Sequence, residues 1–393
     1  MTAATSEPPA GVAALADRFD AAVMDVPGGR ARIRLEVTGG TAWDAVINER
    51  GVALETAAPD GEADSVLRAN AATWVAIATD VRAGMAAFRA GRLRIRRNLH
   101  LGVGFLAAAS GSTAPGRLRF ERLETRGAGR ISILTAGQGD TVLCVHGLGG
   151  TKASFLPTVA ALADSYRVVA LDLPGFGESD KPIGAPYDAR WFARAAFETL
   201  DTLGVERAHL VGNSMGGRVA IEAGLVNRER VRGLVLLSPA LAWLRERRWA
   251  PVVRVLRPEL GLIQVAPRSV VERVVRQLIP GAADGWAAAG VDEFLRAYLT
   301  PRGRAAFYAA ARNVYLDEPH GDDGFWNRLA ELSPDSLFVW GRNDNLVPIG
   351  FRKHVERTLP RARHVELDCG HVPQLERPRE THAAIGDFLR SVP

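Results

Sequence analysis

Ser214 lies in Gly212-Asn213-Ser214-Met215-Gly216, directly after the apolar run Ala208-His209-Leu210-Val211. A G-x-S-x-G stretch between a strand-like and a helix-like segment leaves few folds open. Its serine must turn the chain sharply from strand into helix, in a strained backbone region where a side chain on either flank would clash. Glycine at 212 and 216 removes those Cβ atoms, and Gly217 extends the freedom into the first helical turn. Such a turn presents a serine hydroxyl at the top of a sheet.

A serine hydroxyl is a poor nucleophile at neutral pH and needs a base, an acid to orient that base, and fixed donors for the charge growing on the attacked carbonyl. Each accessory is found after a strand-like run. His371, in Asp368-Cys369-Gly370-His371-Val372-Pro373, follows Arg363–Leu367 and is the histidine best placed to be a base. Asp344, in Gly341-Arg342-Asn343-Asp344, follows Ser336–Trp340 and would orient the imidazole. The order Ser, Asp, His is one of the known arrangements of such a triad. His146-Gly147-Leu148-Gly149-Gly150 follows Thr141–Val145. Its glycines let backbone amides turn inward, so the Leu148 and Met215 amides are the expected oxyanion donors, with His146 bracing the loop. A phosphate loop is disfavoured there because G-x-x-x-x-G-K-[ST] is absent. Asp172 to Ser179 follows Arg167–Leu171 and is expected to shape the pocket floor without chemistry of its own.

Further strand-like runs at Arg130–Leu134, His209–Val211 and Leu234–Leu237 alternate with helical segments through residues 117–393. The fold class expected is therefore α/β, a mostly parallel sheet with helices on both faces, which places ligands at the carboxyl ends of its strands. Residues 241–330 break the rhythm. Pro251, Pro258, Pro267, Pro280 and Pro301 divide them into short helices, Ser269 to Glu272 forms a capping box, and Val270, Val271, Val274, Val275, Leu278 and Ile279 share one helical face. This region is expected to be a helical cap over the sheet.

Ahead of it, residues 1–11 read as a disordered tail, 12–110 as a small α+β domain and 111–116 as a linker. Strands are expected at Arg30–Val37, Ala45–Ile47, Val52–Glu55 and Arg92–Arg96, and helices at Asp64–Thr79 and Val81–Ala90. Arg92, Arg94 and Arg96 are expected on a solvated strand face.

Charge excludes some partners. The net +5 is not spread evenly: residues 1–115 hold twelve Arg and twelve Asp/Glu, whereas 241–280 hold eight Arg and three Glu. No basic stripe with interleaved aromatics or reading motif is present, so no nucleic-acid partner is expected. The arginine-rich segment reads as a solvated helix face, or as an attraction for an anionic lipid, acyl carboxylate or phosphate. Two cysteines cannot make a disulfide framework, and no signal peptide or uninterrupted membrane-length apolar run is visible. A cytoplasmic chain with at most peripheral membrane contact is expected. No metal or cofactor is expected either.

Taken together, Gly212 to Gly217, His146 to Gly150, Asp344 and Cys369-Gly370-His371 resemble the α/β-hydrolase family over about 275 residues. That resemblance implies an eight-stranded, mostly parallel sheet and a mobile cap. Gly212 to Gly217 and Cys369 to His371 are also similar to C–C bond hydrolases of ring-cleavage products. The chain departs from that group in its short glycine loop at 146–150 and in Val372, where the group has tryptophan. Ala63-Asp64-Ser65-Val66, Trp74 and Met85 to Ile95 resemble the sterol carrier protein-2 (SCP2) family over roughly residues 12–110. This implies a domain whose apolar tunnel takes a fatty acid, acyl-CoA or sterol. The leading expectation is a serine hydrolase of acyl or lipid-like carboxylic esters. C–C hydrolysis, and a lipid carrier with a vestigial hydrolase half, are the alternatives.

Overall fold

The alternating pattern of Arg30–Val37 is realised in the computed structural model as strand β1, with Ala31, Ile33 and Leu35 buried. Residues 7–58, 60–80, 82–242, 250–255, 257–263, 267, 269–273 and 285–392 are described. The chain divides into two compact units, Met1–Glu121 with Ser269–Arg296, and Arg122–Arg268 with Ala297–Pro393.

In the first unit, β1 pairs antiparallel with β2 (Ala42–Asn48), and β2 pairs likewise with β3 (Gly51–Thr56). On its other side β1 pairs in parallel with β4 (Ser65–Ala69), which pairs antiparallel with β5 (Leu93–Arg96). The sheet order is β3-β2-β1-β4-β5. Helices α1 (Ala10–Asp17), α2 (Ala71–Thr79), α3 (Arg82–Arg89) and α4 (Leu99–Ala108) complete the segment. Helix α1 begins inside the stretch expected to be a tail, and α4 was not foreseen.

The single helix expected over Asp64–Thr79 is corrected. Ser65, Leu67 and Ala69 alternate inward with period two and pair with β1, and Asn70 then caps α2 through a bond from Thr73 N at 2.8 Å. Burying that strand face outweighs the helical propensity of Leu, Arg and Ala. Trp74 is fully buried and donates from Nε1 to Glu36 O at 3.1 Å. In β5, Leu93 and Ile95 are buried and Arg94 and Arg96 exposed.

Residues 269–296 belong to this first unit, so the span expected to be a cap, 241–330, is shared between the two units. Residues 269–273 are helical; Val274, Val275, Leu278, Ile279 and Pro280 lie outside the described residues. Helix α9 (Gly285–Tyr298) sends Ala288, Ala289, Val291 and Leu295 inward. Its Asp292 binds Arg96 through two bonds of 2.6 and 3.0 Å and accepts from Arg97 N at 3.0 Å. Glu293, buried, accepts from Leu99 N at 2.6 Å, at the start of α4. That contact supplies an acceptor and a negative charge where a helix N-terminus needs both.

The second sheet has eight strands in the order β13-β12-β11-β10-β8-β9-β7-β6. They are β6 (Arg119–Glu124), β7 (Arg130–Ala136), β8 (Thr141–Val145), β9 (Arg167–Leu171), β10 (Ala208–Asn213), β11 (Val231–Leu237), β12 (Asp335–Gly341) and β13 (Arg363–Leu367). Neighbours from β9 through β13 are parallel, and β7 runs antiparallel to β9. Every residue of β8 is buried, as expected for a parallel strand covered on both faces. Helices α5 (Leu156–Leu162), α6 (Ala189–Thr202) and α7 (Met215–Val226) follow their strands, and α8 (Ala250–Val255), α10 (Pro301–Tyr315), α11 (Phe325–Leu329), α12 (Arg352–Thr358), α13 (Pro373–Glu376) and α14 (Pro378–Ser391) come later. A Cβ on Gly224 of α7 would touch Leu234, and one on Gly233 would touch Phe388 of α14. Adjacent strand residues point to opposite faces, so helices lie on both sides of the sheet.

Because β8, β10, β12 and β13 are parallel, the loops that leave their carboxyl ends emerge along one edge. Those loops hold His146 to Gly150, Ser214, Asp344 and His371.

Candidate active site

Ser214 leaves β10 with φ +53° and ψ −118° and opens α7 as its N-cap residue. Positive φ is rare for a residue with a side chain and is held only where the surroundings over-determine it. Here they do. A Cβ on Gly212 would overlap the Gly216 carbonyl, and one on Gly216 would overlap the Val145 carbonyl of β8. Ser214 N donates to Leu237 O at 3.0 Å, and Ser214 O accepts from Ala240 N at 2.9 Å, which pins the turn against the end of β11.

The expected acid and base meet. His371 Nδ1 donates to Asp344 Oδ2 at 2.8 Å. Asp344 is buried, whereas Ser214 and His371 are half-exposed. Burial alone would push the Asp344 carboxyl up. The His371 bond and charge, with Leu346 N and Val347 N donating to Oδ1 at 2.8 and 2.9 Å, outweigh it and hold the group below its ordinary 3.8. Asp344 therefore stays ionised and fixes the tautomer in which His371 Nε2 carries a lone pair. No hydrogen bond joins Ser214 Oγ to the His371 ring among the described residues; Asn213 links their backbones instead, its Nδ2 donating to Leu237 O at 3.0 Å and His371 O at 3.1 Å.

The loop after β8 approaches the serine closely. A Cβ on Gly147 would sit 3.2 Å from Ser214 Cβ. His146 is fully buried. Its Nε2 accepts from Leu173 N at 2.9 Å, so Nδ1 carries the proton and donates to Gly147 O at 2.7 Å. Burial lowers the imidazole below its ordinary 6.5 and keeps it neutral, the form this pair of bonds requires. Gly147 O also accepts from Gly150 N at 3.0 Å. With that carbonyl fixed, the planar trans peptide turns the Leu148 N–H the opposite way, and Met215 N lies in the first turn of α7.

Residues 140–378 match the family described as alpha/beta hydrolase fold, and residues 20–108 match the SCP-2 sterol transfer family. The chain belongs to the α/β hydrolase fold family. One relative, 32% identical over 277 residues (66% of this chain and 91% of its own length), is a 2-hydroxy-6-oxononadienedioate/2-hydroxy-6-oxononatrienedioate hydrolase of Paraburkholderia phymatum. Another, 30% identical over 268 residues, is the dihydrolipoyllysine-residue acetyltransferase component of an acetoin cleaving system of Cupriavidus necator, of which the match spans 64%, as it does of this chain. Among solved structures, a bacterial membrane phospholipase A is similar with a TM-score of 0.57 and 28% identity, over 70% of this chain and 86% of that one.

Three side chains that support this arrangement were not legible in the sequence. Asn213 is one. Lys152 and Asp172 are the others, a fully buried ion pair of 2.5 Å. Asp172 also accepts from Lys152 N at 2.7 Å and Glu178 N at 2.9 Å, while Lys152 Nζ donates to Ser132 Oγ at 3.0 Å. Burial raises the Asp172 carboxyl, but Lys152 and these bonds win and hold it at about 2. The segment Asp172 to Ser179, expected only to shape the pocket, thus ties the end of β9 to the residues just after the His146 loop. The signal available was weak: nothing in the sequence pairs a lysine beside a glycine-rich loop with an aspartate twenty residues on.

Proposed function

We propose that this chain is a serine hydrolase that cleaves carboxylic esters of acyl or lipid-like substrates through an acyl-enzyme. The observation that carries the reading is the 2.8 Å bond from His371 Nδ1 to the buried Asp344, on the strand edge where Ser214 opens α7 with positive φ. Ser214 Oγ attacks the ester carbonyl and His371 Nε2 takes its proton. The amides of Leu148 and Met215 stabilise the oxyanion, and the imidazolium then protonates the leaving alcohol. Water, deprotonated by His371, clears the acyl group. In ligand-free hydrolases the nucleophile–base hydrogen bond is often long and tightens with substrate, so its absence here is compatible with this chemistry.

The lipid bias rests on the SCP-2 match at residues 20–108, which suggests a bound fatty acid, acyl-CoA or sterol, and on the named activity of the phospholipase A neighbour. Cys144 and Cys369 are free and buried, in keeping with a reducing, cytoplasmic setting, and no described helix is long and apolar enough to cross a membrane.

A second reading is C–C hydrolysis of a ring-cleavage product, favoured by the name of the P. phymatum relative and disfavoured by Val372 and the short loop at 146–150. A nitrophenyl ester series of rising chain length, run beside a ring-fission dienedioate, separates them. The ester reading requires a burst of nitrophenol, turnover that rises with chain length, and loss of both in Ser214→Ala. Faster turnover of the dienedioate than of any ester selects the second reading. Inertness to both, and to a fluorophosphonate, would leave a lipid carrier with a vestigial hydrolase half.

A further inference from the structure

Residues 241–263 hold five arginines against two glutamates. Within this stretch, α8 and the 3-10 turn Pro258–Leu262 both pack on α10. Val253 and Gly261 make the inward contacts. A Cβ on Gly261 would come within 2.5 Å of Ala305 N, and Arg304 Nε, itself buried, donates to Gly261 O at 2.9 Å. The turn is therefore clamped by its glycine, and its neighbours face outward. Val255 is 63% exposed, Leu260 and Leu262 46% each, and Ile263 65%. Four of the nine exposed large apolar side chains among the described residues thus fall within nine positions, a concentration a solvated surface does not ordinarily keep. Arg254, just ahead of Val255, and Arg257, between Val255 and Leu260, stand exposed, and neither guanidinium meets a carboxylate among the described residues.

We propose that α8 and the Pro258–Leu262 turn dock on an anionic lipid surface. The apolar side chains enter the interface while the two guanidinium groups meet lipid phosphates. That division, apolar insertion beside unpaired cations, is what interfacial binding to anionic lipid requires. A second copy of this chain fits less well, because it would set the same positive rim against itself, with Glu259 the one carboxylate to answer it among the described residues of α8 and the turn. The inference is independent of which bond the hydrolase breaks.

The test uses the full chain in flotation with vesicles of phosphatidylcholine alone and of equimolar phosphatidylcholine and phosphatidylglycerol. Binding is expected only to the anionic vesicles, and weaker at high salt. Arg254→Glu/Arg257→Glu is expected to weaken it by roughly tenfold or more. Leu260→Ser/Leu262→Ser/Ile263→Ser is expected to abolish it. All five side chains are exposed, so both variants should keep the wild-type thermal midpoint. Equal binding to both vesicle types, no binding to either, or unchanged binding by the charge-reversed variant overturns the proposal. So does a concentration-dependent dimer on size exclusion that the serine variant dissolves.

Discussion

Asn213 Nδ2 donates to the backbone carbonyl of His371 at 3.1 Å, so the residue ahead of Ser214 holds the loop that carries His371. The same amide reaches Leu237 O, which also accepts from Ser214 N. The end of β11, the Ser214 turn and the His371 loop are thereby tied through one side chain.

Replacing Asn213 by Ala should lower kcat on a short ester with little change in KM, because in the proposed mechanism the bond positions His371 rather than the substrate. Two carbonyls lose a donor, and the destabilisation expected is about 1–3 kcal/mol. Thermal unfolding and steady-state kinetics on one preparation separate the two effects. A proportional rise in KM with unchanged kcat would contradict the positioning role.

Asp172→Asn should be the most damaging substitution outside the reacting groups. It leaves Lys152 charged in a fully buried site, at about 3–5 kcal/mol. Adding Lys152→Met should restore only part of that, because Asn offers one acceptor where Lys152 N and Glu178 N each need one. Chemical denaturation of the two variants measures the difference.

The same aspartate sets an acid limit. Its folded value of about 2 lies below the ordinary 3.8, so the stabilisation it brings is complete above about pH 4 and lost as pH falls through about 2. Asp344, also held below 3.8, has the same sign. The wild-type chain should lose stability between about pH 4 and 2 more steeply than Asp172→Asn/Lys152→Met, read from unfolding midpoints across that range. Parallel slopes would show that the ion pair does not contribute.

Glu293 should matter to the first unit although it lies far from that unit's strands in sequence. Glu293→Ala removes the acceptor for Leu99 N at the start of α4 and should cost about 1–2 kcal/mol, with Glu293→Gln recovering most of it. Hydrogen exchange at the α4 amides is the readout. Unchanged protection in Glu293→Ala would exclude the capping role.

Much of this was legible because the residues concerned are forced by backbone geometry. Gly212 and Gly216 are required by a turn that tolerates no Cβ, and the runs Thr141–Val145, Arg167–Leu171 and Arg363–Leu367 coincide with β8, β9 and β13. What stayed hidden depends on contacts between distant segments. β4 is five residues of helix-compatible sequence, and only pairing with β1 makes it a strand. Nothing local pairs Lys152 with Asp172 until β8 and β9 bring them together. Glu293 gives no local hint that it caps a helix nearly two hundred residues earlier. Asn213 stood in full view inside the motif, but its role depends on where the His371 loop returns.

The central claim is that Ser214 is the nucleophile and that the Asp344–His371 pair activates it. Intact-mass and peptide-mapping mass spectrometry after reaction with a fluorophosphonate tests this most directly. One adduct on the peptide bearing Ser214 is expected, absent in Ser214→Ala and slowed by roughly 10⁴-fold in Asp344→Asn, where the imidazole loses its tautomer. An adduct on another residue, or wild-type labelling rates in Asp344→Asn, would contradict the account.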